Sequence, residues 1–220
     1  MEEIITRERC YTCFRPMSSC MCKYTKKIET NTKFVILMHN KEFQKTKNGT
    51  GILTSLNLSN SVIFRGVDFT NHKQLNTILN DESNECYILY PSNDAINLSS
   101  EELPKNNKQK VLILIDSTWA CSKTLLASSK NLQTLPRISF DVKKHSQFVF
   151  KTQPTSYCLS TIETTQAILH LLNQQDIEKL RDNEIENFIQ PFEMMVRYQI
   201  KRATKDNTIR YKERLAYKKK

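Results

Sequence analysis

An unbroken aliphatic segment, residues 111 to 115, restricts the fold of this chain more than any other feature. Its residues are Val-Leu-Ile-Leu-Ile, and three of these five are β-branched. Such a run is typical of a strand that is buried on both faces, as in a parallel sheet covered by helices. Ligands of open α/β sheets bind just beyond the carboxyl ends of such strands, and Asp116 stands at this end.

Residues 116 to 119, Asp-Ser-Thr-Trp, combine a carboxylate, two hydroxyl groups and the only tryptophan of the chain. Residues 120–130 have a helical pattern, so Ser117 or Thr118 can cap that helix. In a purely structural interpretation these residues form a capped turn, and Trp119 anchors the core. In a functional interpretation Asp116 belongs to a binding or catalytic site. The segment by itself supports both interpretations equally.

Strand and helix patterns alternate along the rest of the chain. Further strands are predicted at residues 34–38, 61–64, 85–90 and 136–140, and further helices at 52–58, 160–173, 176–180 and 184–200. A polar loop is predicted at 39–51 and a surface connection at 98–109. The alternation predicts an α/β fold with a mainly parallel sheet flanked by helices. The order of the strands cannot be read from these patterns.

Two short signals refine this outline. The predicted loop ends in Asn48-Gly49-Thr50-Gly51, which holds two of the three glycines of the chain. Glycines at this density predict a positive φ or a close approach of the backbone to another group. Ser160 followed by Glu163 predicts a capping box at the start of the helix at 160–173.

The positive charge of the chain is concentrated near one end. The net charge is +10, and residues 197–220 hold ten Lys or Arg against two acidic residues. Lys and Arg release counterions when they neutralise phosphates, so a basic tail at 201–220, beginning with Lys201 and Arg202, is a candidate RNA contact. A solvated terminus explains the same charge run.

Other classes of protein are disfavoured by what the sequence lacks. No apolar run approaches ~18 residues, so no membrane-spanning helix and no membrane partner are predicted. The first residues lack the pattern of a signal peptide, so we expect a cytoplasmic protein with reduced thiols. No GxGxxG follows a predicted strand, which disfavours a dinucleotide-binding dehydrogenase. No protein partner is predicted.

Four of the seven cysteines lie in a short head within residues 1–30. Cys10 and Cys13 form a CxxC pair, and Cys20 and Cys22 form a CxC pair. Because a reduced tetrad of this kind can supply four thiolates to one zinc ion, the head predicts a structural Zn2+ site. Free thiols and an iron–sulfur cluster are the alternatives. Arg15, between the pairs, either fixes the turn or faces RNA.

An ordered set of short motifs resembles the DTW-domain family. The resemblance covers about residues 10 to 170. Each motif alone is weak, but their order and approximate spacing are specific. They are the cysteine head with Arg15-Pro16, the glycine loop at 48–51, Tyr90-Pro91-Ser92, Asp116 to Trp119, Leu135-Pro136-Arg137, Gln153-Pro154 and Leu159-Ser-Thr-Ile-Glu163.

The resemblance implies both a fold and a reaction. The fold would be SPOUT-like and knotted, with residues 31–200 as the catalytic domain. The reaction would transfer the 3-amino-3-carboxypropyl group of S-adenosylmethionine to N3 of a uridine in tRNA and release 5′-methylthioadenosine. A SPOUT-type RNA methyltransferase and a non-catalytic zinc-containing RNA-binding module are the competing hypotheses.

Within this resemblance, roles can be given to individual residues. Uridine N3 carries a proton, so a positioned carboxylate is the natural general base, and Asp116 is the candidate. Trp119 would stack on a base or line the pocket, and Glu163 would contact the cofactor unless it serves only in the capping box. The cofactor-binding candidates are Tyr90, Pro91, Ser92, Ser117, Thr118, Trp119, Leu159, Ser160, Thr161 and Glu163. The RNA-binding candidates, besides Arg15 and the tail, are Lys123, Arg137 and Lys151.

Overall fold

A parallel β-sheet forms the centre of the protein. The computed structural model describes residues 8–44, 49–143, 145–148 and 158–205. Within these residues the strands are β1 Lys33–His39, β2 Ser61–Gly66, β3 Asn84–Leu89, β4 Ile96–Asn97, β5 Gln109–Asp116 and β6 Arg137–Ser139. Their order across the sheet is β2-β1-β5-β3-β6-β4, and every neighbouring pair is parallel. The carboxyl ends of all six strands therefore meet at one edge.

Helices cover both faces of the sheet. They are α1 Asn40–Gln44, α2 Gly51–Leu56, α3 Lys73–Leu79, α4 Trp119–Ser128, α5 Lys130–Gln133, α6 Thr161–Gln174, α7 Asp182–Phe188 and α8 Gln190–Lys205. Alternate residues of β1 point to opposite faces: Phe34 and Ile36 join a core with α6, α7 and α8, whereas Val35 and Leu37 join a core with α3, α4 and α5. The predicted α/β fold, with a parallel sheet flanked by helices, is confirmed. The knot stays a prediction.

The local signals near the strand ends are also confirmed. The apolar run at 111–115 lies inside β5, where these residues are buried or nearly so. Ser160 and Glu163 form the predicted capping box at the start of α6. Thr118 caps α4, because its side chain accepts a hydrogen bond from the N–H of Cys121. The strand ends and helix starts around Asp116 therefore follow from the sequence.

The prediction of a helix at 176–180 is wrong. Asp176 has a φ of 60°, a left-handed conformation that does not continue a helix. Next to it, Glu178 is buried, and its carboxylate accepts hydrogen bonds from the N–H groups of Asn31 at 2.8 Å and Thr32 at 2.7 Å. These bonds hold the segment to the residues that directly precede β1. This tertiary contact overrides the local helical pattern.

The single helix predicted at 184–200 is in fact two helices, α7 and α8, with Ile189 between them. Pro191 lies in the first turn of α8. A proline is tolerated at that position because its missing N–H would make no helical bond there, but it would break a helix interior. The apolar periodicity runs across this break, which explains the error.

The short helices α1 and α3, like α5, were not predicted from the sequence, and residues 40–44 were expected to be loop. The first two share one feature. Both helices begin next to a histidine whose Nδ1 accepts a backbone N–H: His39 accepts from Lys41 at 3.1 Å, and His72 accepts from Leu75 at 3.2 Å. Histidine is not among the side chains that usually mark a helix start. The signal for these helices was therefore missing from the pattern.

The cysteine head shares the core of the α/β domain. Met21 and Ile28 are buried in the core that also contains Phe34, and Ile28 forms a β-bridge with Leu58. At the other end of the chain, α8 continues to Lys205, across the predicted start of the basic tail. Residues 206–220 lie outside the described residues. None of the described helices is both long and apolar enough to cross a membrane.

Candidate active site

A cavity of about 370 Å³ opens at the carboxyl edge of the sheet. We call it the crevice. It lies between the ends of β3, β5 and β6 and the first residues of α4 and α6. This is the edge at which open α/β sheets bind ligands. The sequence placed Asp116 at this edge, and Asp116 lies in the wall of the crevice.

Asp116 is the last residue of β5 and is only 4% exposed. Its Oδ1 accepts a hydrogen bond of 2.7 Å from the hydroxyl of Thr161, the first residue of α6. The start of a helix carries partial positive charge from its N–H groups and favours a nearby carboxylate. The carboxylate is thus held in one orientation between a strand end and a helix start.

Gly51 brings the start of α2 against this carboxylate. A Cβ atom placed on Gly51 would lie 2.3 Å from Oδ2 of Asp116 and 2.9 Å from Cε of Met38. Both distances are shorter than real Cβ contacts. No described glycine has a positive φ, so the requirement here is for space and not for backbone conformation. The predicted close approach of the glycine loop is confirmed.

Gly51→Ala is therefore expected to disturb the site directly. The added methyl group cannot fit unless Asp116 or Met38 moves, and a displacement of about 1 Å of a reacting group can lower a rate by about 100-fold. The measurement is the single-turnover rate of the reaction proposed below, together with thermal unfolding. Gly66→Ala serves as the control, because the atoms nearest to its added Cβ belong to the ring of Phe69, the closest at 3.1 Å, and neither residue lines the crevice. A full rate for Gly51→Ala would show that Asp116 has room to move.

Aromatic side chains form one wall of the crevice. Trp119, the first residue of α4, is 40% exposed, so the interpretation that it only anchors the core is wrong. Its ring lies edge-on to that of Tyr90, with centroids 6.2 Å apart. Its Nε1 donates a hydrogen bond of 3.1 Å to Sγ of Cys158, which also lines the crevice. No pattern in the sequence indicates this role of Cys158.

Glu163 does not face the crevice, which corrects the predicted cofactor contact. Its carboxylate accepts hydrogen bonds from the N–H and the hydroxyl of Ser160, from the hydroxyl of Ser146 and from the N–H of Gln147. Glu163 is also buried. The side chain therefore closes the capping box and fixes the loop at 145–148 to the start of α6.

The other cofactor-binding candidates divide into two groups. Seven of them line the crevice: Tyr90, Pro91, Ser117, Trp119, Leu159, Ser160 and Thr161. Ser92 and Thr118 do not line it: the hydroxyl of Ser92 donates to Asp94 at 2.6 Å, and the hydroxyl of Thr118 caps α4. The strand predicted at 136–140 could also have indicated Ser139 and Phe140, which lie at its carboxyl end and complete the wall.

The predicted RNA contacts lie at several places. Lys123 is exposed on α4, and Lys201 and Arg202 are exposed near the end of α8. Arg137 is half-buried, with its guanidinium 5.6 Å from the ring centroid of Tyr90 at the rim of the crevice. Lys151 lies outside the described residues.

The prediction that Arg15 faces RNA is wrong, because Arg15 is only 1% exposed. One terminal nitrogen, Nη2, donates to the carbonyl of Gly49 at 2.6 Å and to Sδ of Met195 at 3.3 Å. Burial lowers the pKa of Arg15, and the neighbouring thiol of Cys13 opposes that shift. Arg15 thus joins the cysteine head to the glycine loop and to α8.

The four head cysteines converge on one point. All four Sγ atoms lie within 4.8 Å of one another. The distances are 3.7 Å between Cys10 and Cys22 and 3.8 Å between Cys13 and Cys20. Four sulfurs bound tetrahedrally to zinc at about 2.3 Å lie about 3.8 Å apart. The arrangement therefore fits one tetrahedral metal ion.

The environment also favours a thiolate at one of these positions. Backbone N–H groups of Cys13 and Thr12 lower the pKa of Cys10 to about 6. Burial raises the pKa of Cys20 and of Cys22. A metal must therefore displace protons from these two thiols to bind all four sulfurs.

Comparison with known proteins identifies the family. The DTW-domain model matches residues 7–200. The chain is 31% identical over 201 residues to tRNA-uridine aminocarboxypropyltransferase 2 of Drosophila melanogaster, which covers 88% of this chain and 76% of that protein. It is 25% identical to the protein of the same name from Mus musculus, covering 91% and 66%. For Macaca fascicularis the identity is 24%, covering 88% and 64%.

The chain thus spans about two thirds of the length of the two mammalian relatives. No solved structure matches the chain significantly. The region matched by the family model contains the head cysteines, the glycine loop, Asp116 and the whole described crevice. This chain belongs to the DTW-domain family.

Proposed function

We propose that this chain is an S-adenosylmethionine-dependent tRNA-uridine aminocarboxypropyltransferase. It transfers the 3-amino-3-carboxypropyl group to N3 of a uridine in tRNA and releases 5′-methylthioadenosine. The observation that carries the proposal is the buried carboxylate of Asp116, oriented by Thr161 in a cavity of about 370 Å³ at the carboxyl edge of the sheet. The names of the curated relatives supply the substrate.

Asp116 acts as the general base. N3 of uridine becomes a competent nucleophile only when its proton leaves, and a carboxylate within hydrogen-bond reach accepts that proton in the transition state. The hydroxyl of Thr161 donates to Oδ1 and prevents the carboxylate from rotating. The bond that forms joins N3 to the transferred carbon, and the bond that breaks joins that carbon to sulfur.

The walls of the crevice suit the co-substrate. Tyr90 and Trp119 offer aromatic surface for adenine, and Leu159 and Phe140 offer apolar surface. The start of α6, with N–H groups and the hydroxyl of Thr161, favours the carboxylate of the amino acid part. S-adenosylmethionine, when bound, supplies a carbon activated by a sulfonium leaving group, which departs as a neutral thioether and requires no acid.

The shape of the crevice must decide which carbon reacts, because the sulfonium activates a methyl group as well. Placing the aminocarboxypropyl carbon in line with N3 favours one product over the other. Trp119 and Tyr90 form the wall against which the adenosine part is positioned. The hydrogen bond from Trp119 to Cys158 limits rotation of the indole ring.

The test is analysis of the product. The full chain is incubated with unmodified tRNA and S-adenosylmethionine, and the digested nucleosides are weighed by mass spectrometry. A uridine heavier by one aminocarboxypropyl group, together with 5′-methylthioadenosine, is expected. A uridine heavier by one methyl group would instead support the RNA methyltransferase hypothesis, and unmodified tRNA would support a non-catalytic RNA-binding module.

Other parts of the proposal concern the rest of the chain. The head cysteines are proposed to hold one structural Zn2+, on the basis of the tetrahedral spacing of their sulfurs. Lys123, Arg137 and the basic tail are proposed to contact tRNA phosphates. The cytoplasmic location stays a prediction from the sequence.

A further inference from the structure

The exposed large apolar side chains of this protein are concentrated in one segment. Among the described residues, the exposed ones are Tyr11 at 94%, Phe14 at 38%, Met17 at 50% and Trp119 at 40%. Trp119 belongs to the crevice, but the other three lie in the cysteine head, between residues 11 and 17. A structural zinc head needs only its ligands and a few buried residues, so these three side chains are not explained by the fold.

Phe14 is held in an unfavourable conformation. Its φ is 58°, which is uncommon for a residue other than glycine and is a real outlier for a bulky aromatic. Hydrogen bonds from its N–H to the carbonyl of Cys10 and from the N–H of Cys10 to the carbonyl of Arg15 fix this turn. Residues held in such conformations are concentrated at functional sites. The turn keeps an aromatic ring partly in solvent.

Cationic side chains accompany these rings. The ring of Phe14 meets that of Phe43 edge-on at 5.5 Å, and the guanidinium of Arg65 lies 3.8 Å from the Phe43 ring centroid. Arg65 is exposed, as is Lys41 on the same short helix as Phe43. A second cavity, of about 200 Å³, lies beside Phe14, Phe43 and Arg65. Aromatic rings with neighbouring cations are the features that bind single-stranded nucleic acid.

The head lies at the same edge of the sheet as the crevice. Cys13 is buried against Met38 and Ile52. Met38 is paired in register with Asp116 on the neighbouring strand β5. The head therefore lies next to the crevice on its β1 and β2 side, within reach of an RNA whose uridine enters the crevice.

We infer that Tyr11 and Phe14 of the head, which we call the head aromatics, stack on unpaired bases of the tRNA other than the uridine that is modified. Sequence-specific and structure-specific RNA recognition commonly uses unstacked bases of loops, which aromatic side chains can cover. Arg65 neutralises an adjoining phosphate. The identity of the RNA as tRNA rests on the proposed function, whereas binding of unpaired bases by the head does not.

The test uses Tyr11→Ala, because a side chain that is 94% exposed contributes little to folding. Affinity is measured for unmodified tRNA, for a single-stranded RNA oligonucleotide and for an RNA duplex of the same length. Tyr11→Ala is expected to weaken binding of tRNA and of the single strand by roughly 5- to 150-fold, the range for loss of one stacked base, and to leave duplex binding unchanged. Tyr11→Phe, which keeps the ring, is the matched control and should bind RNA as tightly as the protein without substitutions does.

Two further variants separate stacking from charge. Phe14→Asn removes the ring and suits a positive φ, so it should weaken single-strand binding while the relieved backbone strain offsets the lost ring contact with Phe43. Arg65→Gln should reduce the slope of affinity against salt by about one phosphate contact. Lys105→Gln, an exposed cation paired with Glu102 near the opposite edge of the sheet, should leave the slope unchanged.

The inference is overturned if Tyr11→Ala and Phe14→Asn both bind single-stranded RNA as the unmodified chain does, or if the unmodified chain binds no single strand. Equal losses on the duplex and the single strand would also overturn it, since paired bases cannot stack on the head. The nucleoside assay is read separately. If the chain transfers the group and these substitutions leave RNA binding unchanged, only this inference is refuted. If the chain transfers nothing but its affinity for RNA depends on Tyr11, only the proposed function is refuted.

Discussion

Asp116→Asn is expected to lower the rate of uridine modification by about 10²- to 10⁴-fold. Asparagine has nearly the same shape as aspartate, and its side-chain oxygen can still accept the hydrogen bond from Thr161 that Oδ1 accepts now. It cannot accept the proton of N3 at neutral pH, because the amide is not basic. Binding and orientation should therefore remain while the proton transfer is lost. The measurement is the single-turnover rate of nucleoside formation with saturating tRNA.

The control for this substitution is Asp94→Asn. Asp94 is exposed and accepts a hydrogen bond from Ser92 just beyond β3, near the crevice but not in its wall. The same chemical change there should leave the rate within about twofold, since surface substitutions have small effects. If Asp116→Asn keeps its rate at saturating tRNA, even with a weaker affinity for tRNA, Asp116 is not the general base.

The sequence was sufficient to predict the centre of this site. The five aliphatic residues of β5 require burial on both faces, and that requirement alone places Asp116 at the carboxyl edge of a parallel sheet. The capping box of α6 is local in sequence as well, so Ser160 and Glu163 could be placed correctly. Features encoded within a few neighbouring residues were therefore predictable.

Contacts between distant segments were not predictable. Gly51 approaches Asp116 because β1 and β5 are neighbours in the sheet, and the strand order has no signature in the hydrophobic pattern. Glu178 ends a helical pattern by binding backbone N–H groups of Asn31 and Thr32, far away in the chain. Arg15 was expected either to fix the turn of the head or to face RNA, and the fold buries it between Gly49 and Met195.

Loss of the proposed zinc site should have the largest effect on stability. Cys13→Ser is expected to lower the free energy of unfolding by more than about 4 kcal/mol, as expected when a structural metal site is destroyed. Cys13 is completely buried against Met38 and Ile52, so its loss disturbs the domain core as well as the head. The measurements are metal content of the purified chain, where about one zinc is expected, and urea unfolding before and after chelation.

Cys121→Ser is the control, since Cys121 is a partly exposed cysteine on α4 that lies outside the cysteine cluster of the head. It should keep the zinc and lose about 1 kcal/mol or less. A chain that contains no metal and unfolds identically after chelation would establish free thiols, and bound iron would establish a cluster instead of zinc.

The cysteine head is also connected to the candidate active site through Arg15. Damage to the head should therefore lower the reaction rate, but by a different amount than substitution of Asp116. Arg15 lies beside the cysteines and bonds to the carbonyl of Gly49, two residues before the glycine that touches Asp116. Cys13→Ser protein that remains folded should therefore show a reduced rate, because Gly51 is less well positioned, but a smaller reduction than Asp116→Asn. A metal-free protein with an unchanged rate would mean that α2 and β1 position Gly51 without the head. A rate as low as that of Asp116→Asn would mean that the metal site and the base form one cooperative unit.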